Sequence, residues 1–310
     1  MGFGVSDLQL IVALRARGIL PQAGAIAEIG AQQMNDSLLN APDEIAKAGV
    51  AFGVKTPPPI FKRSRPPSPN NPLLGAPLAR GLWTWLGFDY IAIDLDGSPG
   101  SVPLDLNYDN VPPELVGRYH LVTNYGTTEH AANQLQAFKI IHDLAPLGGV
   151  MVHNVPGPLL EHGLVNYTFK FFNALARSNG YEIVGMSLSL GGTQSVSDGV
   201  VDQLASYDAG ARERLLHYRP TGCGIVAVLR KIYELPYVPP LDIPGDAETD
   251  NAELLARYPT VFDPNIFLKS RNWNEGLEAV YRDRIRFARW VIKRVLQKIK
   301  ARLSPTSQKY

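Results

Sequence analysis

The chain has 310 residues, of which 45% are hydrophobic and 19% charged, and a formal net charge of +1, a balance that suits a globular protein with a sizeable core. So small a charge gives no reason to expect nucleic acid as a partner, and the single Cys223 excludes an internal disulfide and any cysteine-based zinc site. No run reaches the roughly 18 uncharged apolar residues of a membrane span and residues 1–19 lack a secretory pattern, so a cytoplasmic protein is expected.

Taken in chain order, Val5 to Arg17 has apolar Leu8, Ile11 and Val12 at helical spacing, with Ser6 or Asp7 as the expected cap and Gly18 and Pro21 as the stop. Ala25 to Gly30 reads as a buried strand running into a glycine turn. Residues 51–80 are dense in proline, which excludes helix and central strand and leaves a surface wrap, disorder or a substrate lid. A strand over Tyr90 to Asp94 ends on an acid, and another over Tyr119 to Asn124 leads into a helix expected from Thr128 to Leu144. Pro146, Gly148 and Gly149 stop that helix before a strand that begins at Val150. A helix over 169–178, a strand over 181–188 and a last apolar strand over 224–230 complete the pattern.

Short apolar strands that alternate with helices imply a mostly parallel sheet covered on both faces. Such a sheet binds ligands beyond the carboxyl ends of its strands, near the switch point. Polar residues just after each strand are therefore the candidate functional residues.

Several of these fall in an order that resembles class I S-adenosylmethionine-dependent methyltransferases, over roughly the span from Ala25 to Val184. Glu28-Ile29-Gly30 is similar to the family's first motif, and Asp94 stands where the family places the acid that holds the ribose hydroxyls. Leu104-Asp105-Leu106 resembles the third motif, whose acid contacts the adenine amine. Residues 119–130, YHLVTNYGTTEH, resemble the fourth strand and its loop, and 144–149, LAPLGG, the turn into the fifth.

The resemblance implies a Rossmann-like doubly wound α/β fold and S-adenosylmethionine as cofactor, held by Glu28, Gly30, Asp94 and Asp105 with Asn124 and Tyr125 closing over it. It also implies methyl transfer to an unidentified oxygen or nitrogen acceptor. The first motif keeps one of its three usual glycines, since Gln32 and Met34 follow Gly30. A second reading therefore stays open: a binding or scaffold protein that kept the fold and lost the cofactor. The same turn disfavours a nicotinamide enzyme, because Gln32 and Asn35 break the glycine pattern that lets a backbone approach a pyrophosphate.

Acceptor-side candidates are His130, His153, His162, Asn166 and Tyr167, since a base near neutral pKa can take the acceptor's proton. Three of these also have a structural alternative: His130, with Glu129, as a solvated helix start, His153 as a satisfied strand end, and Asn166 as a helix cap. His142, on the helix, reads as a surface or capping residue. His153 and His162 with Glu161 or Asp143 would suffice for a metal, but no tight histidine spacing exists and none is expected. No Gly-x-Ser-x-Gly elbow supports serine hydrolysis.

Residues 1–235 thus form the expected methyltransferase-like domain, with an insertion at about 51–85, and 236–310 a linker and basic amphipathic tail. The helix over 276–303 fits packing against the domain or a subunit, with peripheral contact to an anionic membrane as the alternative. A small molecule, lipid, sugar or protein side chain remains open as acceptor.

Overall fold

The computed structural model describes residues 2–157, 162–190, 223–243 and 247–263. The basic stretch over 276–303 and Glu161 lie outside the described residues. Seven strands form one sheet in the order β3-β2-β1-β4-β5-β7-β6: β1 Gly24–Ile29, β2 Phe88–Ile93, β3 Ser101–Val102, β4 Leu121–Asn124, β5 Val150–Pro156, β6 Tyr181–Leu190 and β7 Cys223–Lys231. β1 pairs in parallel with β2 and β4, β2 with β3, and β4 with β5, while β7 runs antiparallel between β5 and β6. This is the expected Rossmann-like, mostly parallel α/β sheet.

Period-two alternation sends neighbouring side chains to opposite faces. Ile26, Leu121, Val150, Val152 and Val228 face one apolar layer with Phe3, Leu8, Ile11, Phe52 and Trp83. Ala27, Val122, Met151, Ala227 and Leu229 face a second with Phe138, Ile141, Phe172 and Leu175. The first layer is covered by α1 Val5–Ala16, α2 Asp36–Leu39, α3 Pro42–Phe52 and α4 Arg80–Trp85, and the second by α5 Gln134–Leu144 and α6 Phe169–Asn179. Among the described residues no helix is long and apolar enough to cross a membrane.

Helix ends differ from expectation in instructive ways. Gly4 is the N-cap of α1, and Asp7 works from the third helical position, its Oδ2 accepting the Gly4 N–H at 2.8 Å. The helix expected from 128 is split into a 3-10 turn, Thr128–His130, and α5. Asn124 Oδ1 accepts from Thr128 N at 3.2 Å, which turns the chain tightly. The Asn133 side chain then starts α5 by accepting from Gln136 N at 3.2 Å. Thr168, not Asn166, caps α6.

The proline-dense segment is a loop tied back by side-chain hydrogen bonds. Arg63 donates to the Leu74 carbonyl at 2.8 Å and to the Pro72 carbonyl at 2.9 Å, and its Nε reaches Asp36 Oδ1 at 2.8 Å. The loop returns beside the turn after β1, where Met34 N donates to Pro77 O and Ala79 N to Gln32 O. Within the stretch expected as insertion, α4 carries fully buried Leu82 and Trp83. Beyond β7 the chain lies against α5 and α6: Asn179 exchanges hydrogen bonds with the Val238 backbone, and Arg177 donates to the Val261 and Ile243 carbonyls. His142 is buried rather than exposed, held between the Tyr181 hydroxyl at 2.6 Å and the Leu235 carbonyl at 2.9 Å.

Asn133→Ala removes the α5 cap and the bond from Asn133 Nδ2 to the Asn107 carbonyl. It is expected to lower stability by about 1–2 kcal/mol in urea denaturation; an unchanged midpoint would show that the 3-10 turn alone fixes the start of α5.

Candidate functional site at the switch point

The chain leaves β1 for β2 and β3, then returns on the other side of β1 as β4. The switch point therefore lies between β1 and β4, where the crevice of an open sheet forms. The loops after β1, β2, β4 and β5 meet at this carboxyl edge.

Glu28 stands one residue before the end of β1 and is fully buried. Its Oε1 accepts from Trp83 Nε1 at 2.7 Å, and its Oε2 accepts from the Tyr90 hydroxyl at 2.8 Å and Gln32 N at 3.2 Å. Burial raises its pKa to about 7 against those three stabilising bonds. Fully buried and bonded to three elements of the protein, Glu28 positions the turn, a different place from the cofactor contact expected of it.

Gly30 follows with φ +81°, and a Cβ there would lie 2.3 Å from Thr127 Oγ1, so only glycine fits. Gln32, at the place of a second glycine, folds its amide inward. Its Nε2 reaches Thr127 Oγ1 at 3.1 Å and the Ile29 and Gly30 carbonyls at 3.4 Å. Asp94, at the tip of β2, accepts from Ala31 N at 2.7 Å through Oδ2 and from Asp96 N at 3.1 Å through Oδ1. One acid thus ties the glycine turn to the next strand end, and each oxygen keeps a lone pair for a further donor.

Asp105 is one step removed. Its Oδ1 accepts from Asn107 N and Nδ2 at 2.8 and 3.1 Å, and Asn107 in turn holds Asn133. Asn124 is buried and donates to Thr128 Oγ1 at 2.8 Å. Tyr125 does not close over the crevice: it is buried in the first apolar layer, 5.3 Å from the Phe3 ring. Alternation along the chain leaving β4 turns it inward to that layer.

On the acceptor side the structure sorts the candidates. His153 is buried against the Phe138 and Phe172 rings, and burial lowers its pKa to about 3, so it is a neutral core residue. The buried Tyr167 hydroxyl meets Thr128 Oγ1 at 2.8 Å and the Gln134 side-chain carbonyl, beneath the loop after β4. Asn166 is exposed.

His130 and His162 are brought together, with ring centroids 5.0 Å apart. Between them lies a residue the sequence reading gave no chemical role. Glu129 is fully buried, and its Oε1 is 3.9 Å from His130 Nε2 and 3.7 Å from His162 Nε2. Burial lifts its pKa to about 6. Gly163, at φ +78°, lets the loop close on it, since a Cβ there would sit 2.6 Å from Glu129 Cγ. Leu164 N then donates to the Glu129 carbonyl at 2.7 Å. Glu129, Gln32 and Trp83 were missed because nothing in their local pattern marks them as buried polar anchors.

No family model matches the sequence, and no curated protein does. Among solved structures, the chain is similar to the Burkholderia thailandensis 1,6-didemethyltoxoflavin-N1-methyltransferase, at 12% identity and a TM-score of 0.38 over 73% of this chain and 79% of that one. It is similar to an S-adenosylmethionine-dependent methyltransferase from Mesorhizobium loti at 13% identity and a TM-score of 0.37, over 72% and 99%. It is also similar to the [4+2]-cyclase SpnF, at 12% and 0.36, over 73% and 80%. Likeness at this distance assigns no activity.

The raised pKa of Glu28 has a definite sign. The folded state keeps this proton up to about pH 7, whereas the unfolded chain releases it near 4.5. Folding therefore loses stability as pH rises from 4.5 to 7 and none beyond. Glu28→Gln carries its own pH-independent cost but not this slope. The stability difference between wild type and variant should fall by on the order of 3 kcal/mol between pH 4.5 and 8; a flat difference would mean that Glu28 titrates alike in both states.

Proposed function

We propose that the chain is an S-adenosylmethionine-dependent methyltransferase that methylates an oxygen or nitrogen of a small-molecule, lipid or sugar acceptor. The observation that carries this reading is the glycine turn at the switch point, tied through Ala31 N to the acid at the tip of β2. An acid so placed offers two oxygens to a vicinal diol, and the positive φ of Gly30 keeps the backbone free of a Cβ. The inward-folded Gln32 amide suits a ligand without phosphate, which needs no close approach of successive backbone N–H groups.

In this reading Asp94 holds the ribose hydroxyls and Asp105 stands on the adenine side. Glu28, Asn124 and Thr127 fix the turn and the facing loop. S-adenosylmethionine supplies a methyl group already activated on a sulfonium, so the chain's task is alignment of the acceptor and exclusion of water. Glu129, His130 and His162 form the polar cluster on the same edge against which the acceptor is placed.

The scaffold reading has one observation in its favour, the Gln32 side chain seated in the turn. Calorimetric titration with S-adenosylmethionine and its demethylated product, with NAD as control, separates the two. Binding of the first pair and not of NAD is expected. Asp94→Asn should weaken it by about 1–3 kcal/mol, or 5- to 150-fold. Absence of binding to the wild type would overturn the methyltransferase reading in favour of the scaffold, and an unchanged affinity in the variant would remove Asp94 from the site.

A further inference from the structure

We infer that Glu129, His130 and His162 form a binding site for a divalent d-block cation of the zinc type. One carboxylate and two imidazoles are the donor set such ions take, and their ligating atoms already lie within 4.8 Å of one another. The decisive observation is Glu129 itself. Its side chain is fully buried, and apart from a contact with its own backbone N–H neither carboxylate oxygen has a hydrogen-bond partner among the described residues. A buried carboxylate without partners is costly, and a native structure that keeps one leaves it for a proton or a cation.

The surroundings hold the acid in place. Gln134 Nε2 donates to the Thr128 carbonyl at 2.7 Å and to the Ala131 carbonyl at 2.6 Å, which fixes the turn on both sides of Glu129. Gly163 allows the loop after β5 to press His162 against it. The two imidazoles are the adjustable part, with side chains 53% and 39% exposed. Zinc bound at about 2.0–2.2 Å sets its ligand atoms about 3.3 Å apart. The 3.7 and 3.9 Å acid–imidazole separations, and an imidazole pair within 4.8 Å, therefore close by inward rotation of the solvent-facing rings by up to about 1.5 Å. The sequence offered no sign of this, because His130 and His162 are 32 residues apart and only the adjacent β4 and β5 bring their loops together.

Three protein ligands leave coordination positions open at the mouth of the cluster. If the methyltransferase reading holds, on which this step rests, the open positions take the acceptor's oxygen. A hydroxyl bound there sheds its proton to solvent more readily, because the cation stabilises the resulting oxyanion. The cation site itself does not depend on that reading.

The test uses the untagged full chain, stripped with a chelator and titrated with cobalt(II) by visible absorption and with zinc by calorimetry. One equivalent of each is expected to bind, and Glu129→Gln and His162→Ala should each weaken cobalt binding at least about tenfold. His120→Gln, at an exposed imidazole on the opposite edge of the sheet, should leave it unchanged. Absence of a saturable cobalt band, or equal binding by wild type and both site variants, overturns the inference. Should Glu129→Gln fail to fold, His130→Ala and His162→Ala carry the test, since both rings face solvent. Titrating the same sample with the demethylated donor keeps the two proposals apart. Cobalt bound without it sinks only the methyltransferase, and the converse sinks only the cation site.

Discussion

Glu28 is a carboxylate inside the protein, and three separate elements donate to it: α4 through Trp83, β2 through Tyr90 and the turn after β1 through Gln32. A buried acid demands such partners, because desolvation of a charge costs more than a single hydrogen bond returns. Satisfying it therefore sets where α4 packs, how β2 sits beside β1 and where the chain turns after β1. Because the acid stands in β1, at the switch point, the turn after β1 and the packing of β2 and α4 take their positions from it.

From there the edge is built outward in pairs of contacts. Gly30 lies against Thr127, so the loops on the two sides of the switch point touch, and Asp94 draws the turn toward β2. Beneath the loop after β4, Asn124, Thr128, Tyr167 and Gln134 form a buried polar network whose members are satisfied by one another. Such a network resists repacking, since breaking one bond strands the others. It ends at Glu129, whose carboxylate oxygens, like the neighbouring His162 Nε2, lack a hydrogen-bond partner among the other described residues. A satisfied network thus stands beside an acid that is not satisfied by it.

The histidines show how environment sorts one residue type into different roles. His153 and His142 are buried and held neutral, the first between aromatic rings and the second in hydrogen bonds to Tyr181 and Leu235. His130 and His162 face solvent on either side of an acid. Nothing in the residues next to them distinguishes these cases, since each histidine stands in an ordinary mixture of apolar and polar neighbours.

The sequence by itself determined the α/β alternation, the apolar strands and the bounds of α1 and α6, because periodicity and helix stops are local properties of the chain. It also determined that Gly30 and Asp94 stand at strand ends, since a strand's end is marked by its own residues. Tertiary structure alone decided that Glu28 faces inward, that Tyr125 belongs to the core and that Glu129 lies between two histidines from different loops. Those facts depend on which strand lies beside which, and on which face a residue takes after its strand ends. Contacts between distant segments set both, so they carry no local signature.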